Sequence, residues 1–395
     1  MSEAAGVEVI DVVVIGAGVA GLTVASLLQR SGVGCVVLER HDRSYVEQRQ
    51  RAGVLDYRAE QVYVRGGLDE RLLNGVPPSG AIEIRIDGVG RLFDGAVHTG
   101  GRSGRLLSQQ LLVQRLIALF LDGGGDLRFD AADVALHGVD GDRPWVSYRD
   151  AAGGNHRLAC RYVAGCDGFH GVSRASLPAD LVTTYEDAES IGWFTVLTDS
   201  PPPRHALFGV SRHGFAAQFA RGRTASRFYL QCGVGDSLQQ WSDERVWQQL
   251  RLRLGDEQLP SGPIVDKSII DARGIVIDPM AHGRLFLAGD AAHIITPMGG
   301  KGMNLAIADA GVLAEALYTA IQHGDEELLR SYSATCLPRV WSDQEFSRWM
   351  SEMMFHAGDI DTAGPFRWQL ARARLDRLFT CTTAAAAFAA MLAGT

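Results

Sequence analysis

The chain has 395 residues, of which 46% are hydrophobic and 21% are charged, a composition typical of a folded globular protein and not of a disordered or fibrous one. Its formal net charge is −8, which argues against nucleic acid or an anionic membrane surface as a partner. The length predicts two or three domains, each large enough to bury a core.

The N-terminus and the cysteines indicate a cytoplasmic protein. The first residues contain no basic region followed by an apolar run, so no secretory signal is predicted. No window is apolar enough over about 18 residues to predict a membrane span. The six cysteines have no C-x-x-C spacing, which favours buried, reduced thiols over disulfides or metal ligands. We therefore expect no metal site.

The first elements along the chain predict a βαβ unit. A strand over residues 11–15 leads into a turn with Gly16, Gly18 and Gly21, and a helix and a strand over residues 35–38 follow. In such a unit Gly16 permits the tight turn, Gly18 lets the backbone approach a pyrophosphate, and Gly21 lets the helix pack on the strand. The helix N-terminus offers N–H groups to the phosphates. Glu39, 18 residues after Gly21, is placed to meet a ribose hydroxyl. The segment is predicted to bind a dinucleotide.

Beyond this unit the chain alternates between strands and helices. Strand patterns, either apolar runs or alternating apolar and polar residues, cover residues 82–86, 161–164, 214–220, 226–231 and 284–288. Helical periodicity covers residues 106–121 and 246–254, and from residue 306 onward the chain is mostly helical. This succession predicts an α/β protein with a β-rich second region.

Two further predicted strands end in an aspartate next to a glycine. Asp167 follows the strand over 161–164, and Asp290 follows the strand over 284–288. Ligands of open α/β sheets bind at the carboxyl ends of strands, so both motifs are expected to meet the same cofactor as the first turn. The alternative for either motif alone is a helix cap. A glycine-rich turn over 299–304 then opens a helix and suits an anion or an electron-rich ring edge.

These motifs together resemble the class A flavoprotein aromatic hydroxylases, with the greatest similarity to the branch that hydroxylates 4-hydroxybenzoate at position 3. The similarity lies in residues 14–18, 49–55, 164–171, 241–245 and 282–294. It implies a Rossmann-like FAD-binding domain, an inserted β-sheet substrate domain and a C-terminal helical region. We expect the FAD-binding domain to comprise residues 1–80, 101–183 and 270–325, the substrate domain residues 81–100 and 184–269, and the helical region residues 326–395.

The resemblance implies two cofactor sites. In the FAD site, Asp290 would bond the ribityl chain, Arg51 would reach the pyrophosphate and Gln109 would lie near the flavin. The full set expected to bind FAD is Gly16, Gly18, Gly21, Glu39, Arg51, Gln109, Asp167, Asp290, Gly300, Lys301, Gly302 and Asn304. The positions that match NADPH-binding residues are Arg40, Tyr45, Arg49, His170 and Arg273. Guanidinium groups suit phosphates, although a solvated basic loop is the alternative interpretation of this arginine cluster.

The resemblance also implies a pocket for an aromatic carboxylate. Arg221 and Tyr229 match the residues that hold the carboxylate, which fits the ability of arginine to bind such a group bidentately. Pro297 matches a residue whose carbonyl faces the para group of the substrate. The catalytic positions are therefore expected to be Pro297 and Phe208, and the substrate-binding set is Arg221, Tyr229, Phe219, Phe208, Pro297 and Met298. The alternative for Arg221 and Tyr229 is an ordinary role on two strands.

The chain departs from the family at the proton relay that ionises the substrate phenol. The places of two tyrosines and a histidine hold Phe208, Leu392 and Ser79, none of which can move a proton as a phenol or an imidazole would. Phe219 replaces a serine near the carboxylate, and Met298 replaces a threonine. Because hydroxylation needs an electron-rich ring, this loss predicts an amino- or dihydroxy-substituted 4-hydroxybenzoate, or attack at another ring position.

The leading hypothesis is an FAD-dependent monooxygenase that uses NADPH and O2 to hydroxylate an aromatic carboxylate of the 4-hydroxybenzoate type through a flavin hydroperoxide. One alternative is plain 4-hydroxybenzoate 3-hydroxylation. Another is a flavin-binding protein without turnover. The apolar helical tail around Trp341, Trp349 and Met350 predicts either the face of a homodimer or a core helix.

Overall fold

The computed structural model describes residues 8–49, 53–355 and 364–395. The strands are β1 (Glu8–Ile15), β2 (Cys35–Leu38), β3 (Ile82–Ile86), β4 (Val89–Phe93), β5 (Asp126–Arg128), β6 (Ala132–His137), β7 (Trp145–Arg149), β8 (Asn155–Gly165), β9 (Thr183–Thr198), β10 (Ala206–Ser211), β11 (Gly214–Arg221), β12 (Ala225–Cys232), β13 (Ile264–Asp278), β14 (Ala281–His282), β15 (Leu285–Leu287) and β16 (His293–Ile294). The α-helices are α1 (Val19–Arg30), α2 (Arg43–Gln48), α3 (Tyr57–Arg65), α4 (Asp69–Leu73), α5 (Gly95–His98), α6 (Gln109–Asp122), α7 (Val172–Ala175), α8 (Asp243–Leu254), α9 (Lys301–His323), α10 (Glu327–Arg330), α11 (Tyr332–Phe355), α12 (Gly364–Thr380) and α13 (Thr382–Ala393).

A largely parallel sheet carries the first glycine turn. Its strands lie in the order β14-β15-β8-β1-β2-β5, with β7 paired to β8 and β6 paired to β7. Val12, Val13 and Val14 of β1 are fully buried, because both faces of the strand are covered and it can be apolar throughout. Strand β1 pairs in parallel with β2 on one side and with β8 on the other. The carboxyl end of β1 is therefore a topological switch point, where such sheets bind their ligands.

The second sheet is apolar on both faces. Its order is β16-β13-β9-β12-β11-β10-β3-β4. On one face Phe194 and Phe228 are buried in a cluster with Trp247 of α8. On the other face Tyr229 is buried in a cluster with Met350 of α11. Helices thus cover both sides of this sheet, and the alternation of the strands decides which side chain meets which helix.

Strand β13 joins the two sheets. Along most of its length it pairs with β9 in the second sheet. Near its end Ile275, Val276 and Ile277 are buried in the same cluster as β1 of the first sheet. The short strand β16 pairs with this end and lies just after the Gly289–Ala291 turn. The carboxyl edge of the first sheet is therefore fixed against the second sheet.

The C-terminal helices close the molecule. By length and composition Met298–His323 could cross a membrane, but 67% of its apolar window is buried inside the protein, as expected for a core helix. Helices α12 and α13 are long and apolar enough to cross a membrane only when they are taken together, across a 98° bend. In α11, Met350, Met353 and Met354 are fully buried within the chain, which supports the core-helix alternative for this segment.

The arrangement confirms the predicted fold class, an α/β protein with a parallel layer, a second β-sheet and a helical C-terminal region. The boundaries assigned to the separate domains stay a prediction.

Candidate active site

The first glycine turn leaves space where a ligand would lie. At Gly16, where φ is +99°, an added Cβ would lie 2.5 Å from the Cys166 carbonyl oxygen, and at Gly21 it would lie 2.0 Å from the Gly16 carbonyl oxygen. Packing within the protein therefore requires glycine at both positions. At Gly18 an added Cβ would meet nothing within 4 Å. Gly18 also caps α1 without a side-chain hydrogen bond, so the first N–H groups of the helix are available to a phosphate.

Glu39 ties the end of β2 to this turn. Its Oε2 accepts a hydrogen bond from the Ala17 amide at 2.8 Å, and its Oε1 accepts one from the His41 amide at 3.0 Å. The side chain is almost completely buried. Because each carboxylate oxygen has two lone pairs, the group retains capacity for a ribose hydroxyl. The geometry thus fits the predicted role and adds a structural one.

Asp167 lies against the first turn and also helps to cap a helix. Its backbone contacts the first turn, because a Cβ at Gly16 would lie 2.9 Å from its Cα. Its Oδ2 accepts a hydrogen bond from the Ser173 amide at 3.0 Å, at the start of α7. Its Oδ1 is buried and has no hydrogen-bond partner among the described residues. Burial raises the pKa of this carboxyl. Asp167 therefore helps to cap α7 and leaves one unpaired oxygen beside the turn.

The third strand end lies between two helices. Gly289 has φ of +64°, and an added Cβ would lie 3.1 Å from Ala306 of α9 and 3.2 Å from Ala20 of α1. Asp290 follows at the surface of this turn, half-buried. The three predicted motifs therefore meet at one edge of the first sheet, as a shared dinucleotide site requires.

The glycine-rich turn before α9 leaves backbone open at Gly300 but encloses the Lys301 side chain. Gly300 caps α9 with φ of +64° and no side-chain hydrogen bond, and an added Cβ would meet nothing within 4 Å. Lys301, in contrast, is fully buried. Its Nζ lies 3.2 Å from Asp56 Oδ2 and donates a hydrogen bond to the Leu392 carbonyl at 3.1 Å. The Lys301 side chain is thus enclosed in the protein and cannot contact a cofactor.

Asn304 is likewise used within the chain. Its Nδ2 donates to the carbonyls of Val54 and Gly300, at 2.9 and 2.8 Å, and its Oδ1 accepts from the Asp56 amide at 2.9 Å. It holds the segment before α3 against α9. What this turn can offer a cofactor is its backbone at residues 300–302, where Gly302 would tolerate a Cβ at 3.5 Å from Ile295.

Gln109 lies where three segments meet. It is the first residue of α6 and is half-buried. An added Cβ at Gly53 would lie 2.9 Å from the backbone nitrogen of Gln109 and 3.2 Å from the Cε atom of Met303 in α9. The loop around Gly53, the start of α6 and the start of α9 are therefore adjacent. Arg51 lies outside the described residues.

The expected NADPH residues form two groups. Arg40 and Tyr45 are both exposed beside His41. The centres of the Tyr45 and His41 rings are 4.0 Å apart in a stacked arrangement, and Arg40 Nε donates a hydrogen bond to His41 Nε2 at 3.0 Å. Arg49 is also exposed, just after α2.

The second group surrounds Phe169. His170 is exposed and meets the Phe169 ring edge-on at 4.9 Å. The guanidinium of Arg273 lies 4.6 Å from the centre of that ring, and that of Arg174 lies 3.7 Å from it. Burial and the charge of Arg273 lower the pKa of Arg174. The sequence analysis missed Arg174, although it follows Asp167 by seven positions.

An aromatic surface lines one face of the second sheet. In the registers of β10, β11 and β12, Phe208 is opposite Ala217, and Ala217 is opposite Tyr229. Side chains at these positions share one face. The ring centres of Phe208 and Phe219 are 5.7 Å apart, and those of Phe219 and Tyr229 are 5.6 Å apart. The structure thus brings together three aromatic residues that the sequence predicted for the pocket.

Arg221 ends β11 on this surface. Burial lowers the pKa of the Arg221 guanidinium, and the charge of Arg227 adds to this effect. The neighbouring Tyr229 side chain acts to raise the pKa of the same guanidinium. Arg227 is opposite Phe219 in the register and is buried. Two guanidinium groups beside aromatic rings, in a region shielded from water, favour an anionic aromatic ligand.

Sequence reasoning missed Arg227 and Trp193. Trp193 lies on β9 and meets the Tyr229 ring at 5.6 Å. The pattern that could have identified Arg227 is its position two residues before Tyr229, since alternate residues of a strand share a face. Trp193 has no such local signal, because the pairing of β9 with β12 joins distant segments.

Met298 connects the cofactor side to the aromatic surface. It is buried in the same cluster as Phe208 and Tyr229, and it directly follows Pro297 in the turn that leads to Gly300 and α9. Leu392 of α13 packs against the same cluster. The turn whose backbone is open to a cofactor is therefore also the turn that covers the aromatic surface.

Comparison with known proteins gives consistent findings. The family described as "FAD binding domain" matches residues 9–347. The chain is 36% identical over 376 residues to the p-hydroxybenzoate hydroxylase of Acinetobacter baylyi, which covers 94% of this chain and 92% of that protein. It is 25% identical to the probable NADH-specific resorcinol 4-hydroxylase of Rhodococcus jostii, over 91% of this chain and 67% of that protein.

Solved structures share the fold. The p-nitrophenol 4-monooxygenase PnpA of Pseudomonas putida has a TM-score of 0.82 at 22% identity, covering 98% of this chain and 99% of that chain. Pseudomonas aeruginosa PqsL in complex with 2-aminobenzoylacetate has a TM-score of 0.77 at 21% identity, covering 93% and 100%. At these identities the similarity establishes the fold alone.

The open space at Gly18 generates a test of the first turn. Gly18→Val should fold, because its backbone is extended and a Cβ has room, but it should bind FAD about tenfold or more weakly, since the side chain would block hydrogen bonds to the pyrophosphate. Gly21→Val is the contrast and should fail to fold, since its Cβ would lie 2.0 Å from a backbone oxygen. Flavin content after purification and circular dichroism measure the two effects. Full flavin occupancy in Gly18→Val would contradict the assignment.

Proposed function

Since the chain belongs to the FAD-dependent aromatic hydroxylases, we propose that it hydroxylates an aromatic carboxylate of the 4-hydroxybenzoate type with NADPH and O2. The observation that carries this proposal is the position of Arg221 on the same sheet face as Tyr229, Phe219 and Phe208, on an aromatic surface that shares a cluster with Met298. A relative of 36% identity is named p-hydroxybenzoate hydroxylase, which supports the same class of substrate.

We propose that FAD lies along the three strand ends. The N-terminus of α1 would bind the pyrophosphate at Gly18, Glu39 would bind the ribose, and Asp290 would bind the ribityl chain. The open backbone at Gly300 would meet the edge of the ring system. When bound, FAD supplies the electron transfer and the activation of oxygen. The residues of the chain bind, orient and exclude water.

Arg221 and Tyr229 would orient the substrate. A guanidinium and a phenol can donate together to one carboxylate, which fixes the ring relative to Phe208 and Phe219. The positive charge of Arg227 would strengthen binding of the anion, because charges interact strongly where water is excluded. The carbonyl of Pro297 would face the opposite end of the ring.

The residues at the proton-relay positions suggest which substituents the substrate ring carries. Phe208 and Leu392, both in the aromatic cluster, cannot transfer a proton, and Ser79 replaces the third relay group. A ring with an added amino or hydroxyl group needs less activation by a base, so we propose a substituted 4-hydroxybenzoate. The second candidate is 4-hydroxybenzoate itself, which the name of the 36% identical relative favours.

NADPH is proposed as the reductant because cations flank the cofactor edge on two sides. Arg40 and Arg49 are exposed next to Tyr45, and Arg273 stacks on Phe169. Such groups suit the additional phosphate of NADPH. A relative of 25% identity is named NADH-specific, so NADH is the competing reductant. The homodimer and the cytoplasmic location stay predictions.

Removal of the Arg221 guanidinium tests the substrate pocket. Arg221→Ala should weaken the binding of benzoate-type ligands by about 2–4 kcal/mol, because one partner of a desolvated charge pair is lost. Phenols without a carboxylate should bind unchanged. Arg223→Ala, two positions further and exposed, is the matched control. The dissociation constants follow from flavin absorbance changes, and an unaltered benzoate affinity in Arg221→Ala would place Arg221 outside the pocket.

Restoring a phenol tests the missing relay. Phe208→Tyr should increase the product formed per NADPH consumed with 4-hydroxybenzoate, because the phenol can relay the substrate proton. With 3-amino-4-hydroxybenzoate the native protein and the variant should both couple well. Tight coupling of the native protein on 4-hydroxybenzoate would contradict the proposed substituent and favour the second candidate.

A further inference from the structure

A buried group of charged side chains lies beneath the Gly289–Ala291 turn. Asp309 of α9 and His293 of β16 are both buried, with His293 Nε2 2.6 Å from Asp309 Oδ2. Arg339 of α11 lies 3.2 Å from the other oxygen, Oδ1. None of these residues belongs to the sites predicted from the sequence. Buried ionic groups are costly to a fold, so their presence requires an account.

Asp309 holds three different elements together. Besides His293 and Arg339, its Oδ2 accepts a hydrogen bond from the Gly289 amide at 3.2 Å. Gly289 is already confined between Ala20 and Ala306. One carboxylate therefore fixes the backbone immediately before Asp290.

The pKa of His293 is set by burial and by three charged neighbours. Burial alone would lower its pKa, but the charge and hydrogen bond of Asp309 and the charge of Asp290 raise the pKa above its ordinary value, against the opposing charge of Arg339. For Asp309, burial would raise the pKa, but His293 and Arg339 hold it below its ordinary value. Both shifts favour the charged form of the pair, an imidazolium beside a carboxylate.

The remaining titratable groups around Asp309 are uncharged. Burial is the main cause that raises the pKa of Cys166, Cys336 and Tyr332, and the charge of Asp309 adds to it for all three. The local charges are thus those of Asp309 and Asp290 against those of His293 and Arg339. Deprotonation of His293 would remove one positive charge that interacts with both Asp309 and Asp290.

We propose that Asp309 and His293 are positioning residues for Asp290. Asp309 anchors the Gly289 amide and the His293 side chain, which lie before and after Asp290 in the sequence, and so fixes the backbone from which the Asp290 carboxylate would meet the ribityl hydroxyls of FAD. The inference rests on the proposed location of FAD at this turn. It assigns a binding function to a pair that makes no contact with the cofactor itself.

The proposal has a definite pH dependence. Because the pKa of His293 is raised, its contribution to FAD affinity is present below that pKa and is lost as the pH rises through it. In Asp309→Asn the imidazole loses its main stabilising charge, so the loss of affinity should begin at lower pH. In His293→Gln, which keeps an N–H donor without the charge, this dependence should disappear.

The test is a titration of the apoprotein with FAD, followed by flavin fluorescence, from about pH 6 to about pH 9. Asp309→Asn and His293→Gln should each bind FAD about tenfold or more weakly at low pH, as expected when a hydrogen bond to a charged group is lost, and their pH profiles should change as described. The matched control is Glu326→Gln, which removes a carboxylate paired with Arg284 and should leave affinity and profile unchanged.

The outcomes separate a positioning role from a structural one. If both variants have a lower melting temperature as apoproteins but bind FAD with the native affinity and pH profile, the proposal is overturned. If Asp309→Asn does not fold, His293→Gln decides by the same criteria. If the native chain binds no FAD, the proposed location of the cofactor is wrong. If the native chain binds FAD and both variants bind it with the same affinity and pH profile, only the positioning role of Asp309 and His293 is refuted.

Discussion

The close approach of three backbone turns at one edge of a parallel sheet is the constraint on which the rest of the structure depends. A side chain at Gly16 would collide with the end of β8, and a side chain at Gly21 would collide with Gly16 itself. The Gly289 turn is held between α1 and α9 in the same way. These contacts bring residues that are far apart in sequence to one place, while Gly18 and Gly300 leave room beside them. Packing within the protein therefore shapes this edge of the sheet and leaves space beside it for a cofactor.

The second sheet brings the aromatic surface to this edge. Strand β13 is buried in the core of the first sheet at one end and pairs with β9 at the other, so it packs the two layers against each other. The turn from Pro297 to Gly300 then covers the aromatic surface through Met298. Arg221, the residue proposed to bind the substrate carboxylate, ends β11 on the same aromatic surface. The chemistry of an aromatic hydroxylase needs both halves.

Much of this could be predicted from the sequence, because the decisive signals are local. The strand–glycine turn–helix pattern around Gly16 and the alternation around Tyr229 depend on neighbours in the chain, and the fold class follows from them. The enclosure of the Lys301 side chain could not be predicted, because its partner, Asp56, is distant in sequence and no local pattern indicates a buried ion pair. Trp193 and Arg174 were missed for the same reason, since pairing across the sheet and stacking on Phe169 join separate segments.

The central claim is that this chain inserts one oxygen atom into an aromatic carboxylate. The direct measurement supplies the FAD-loaded protein with NADPH, isotopically labelled O2 and a panel of hydroxy-, amino- and dihydroxybenzoates together with the matching phenols, and identifies products by mass spectrometry. The account predicts one labelled oxygen atom in the ring of at least one carboxylated substrate and none in the phenols that lack the carboxylate. NADPH consumption without label in any carboxylated ring, or equal labelling of the phenols, would contradict it.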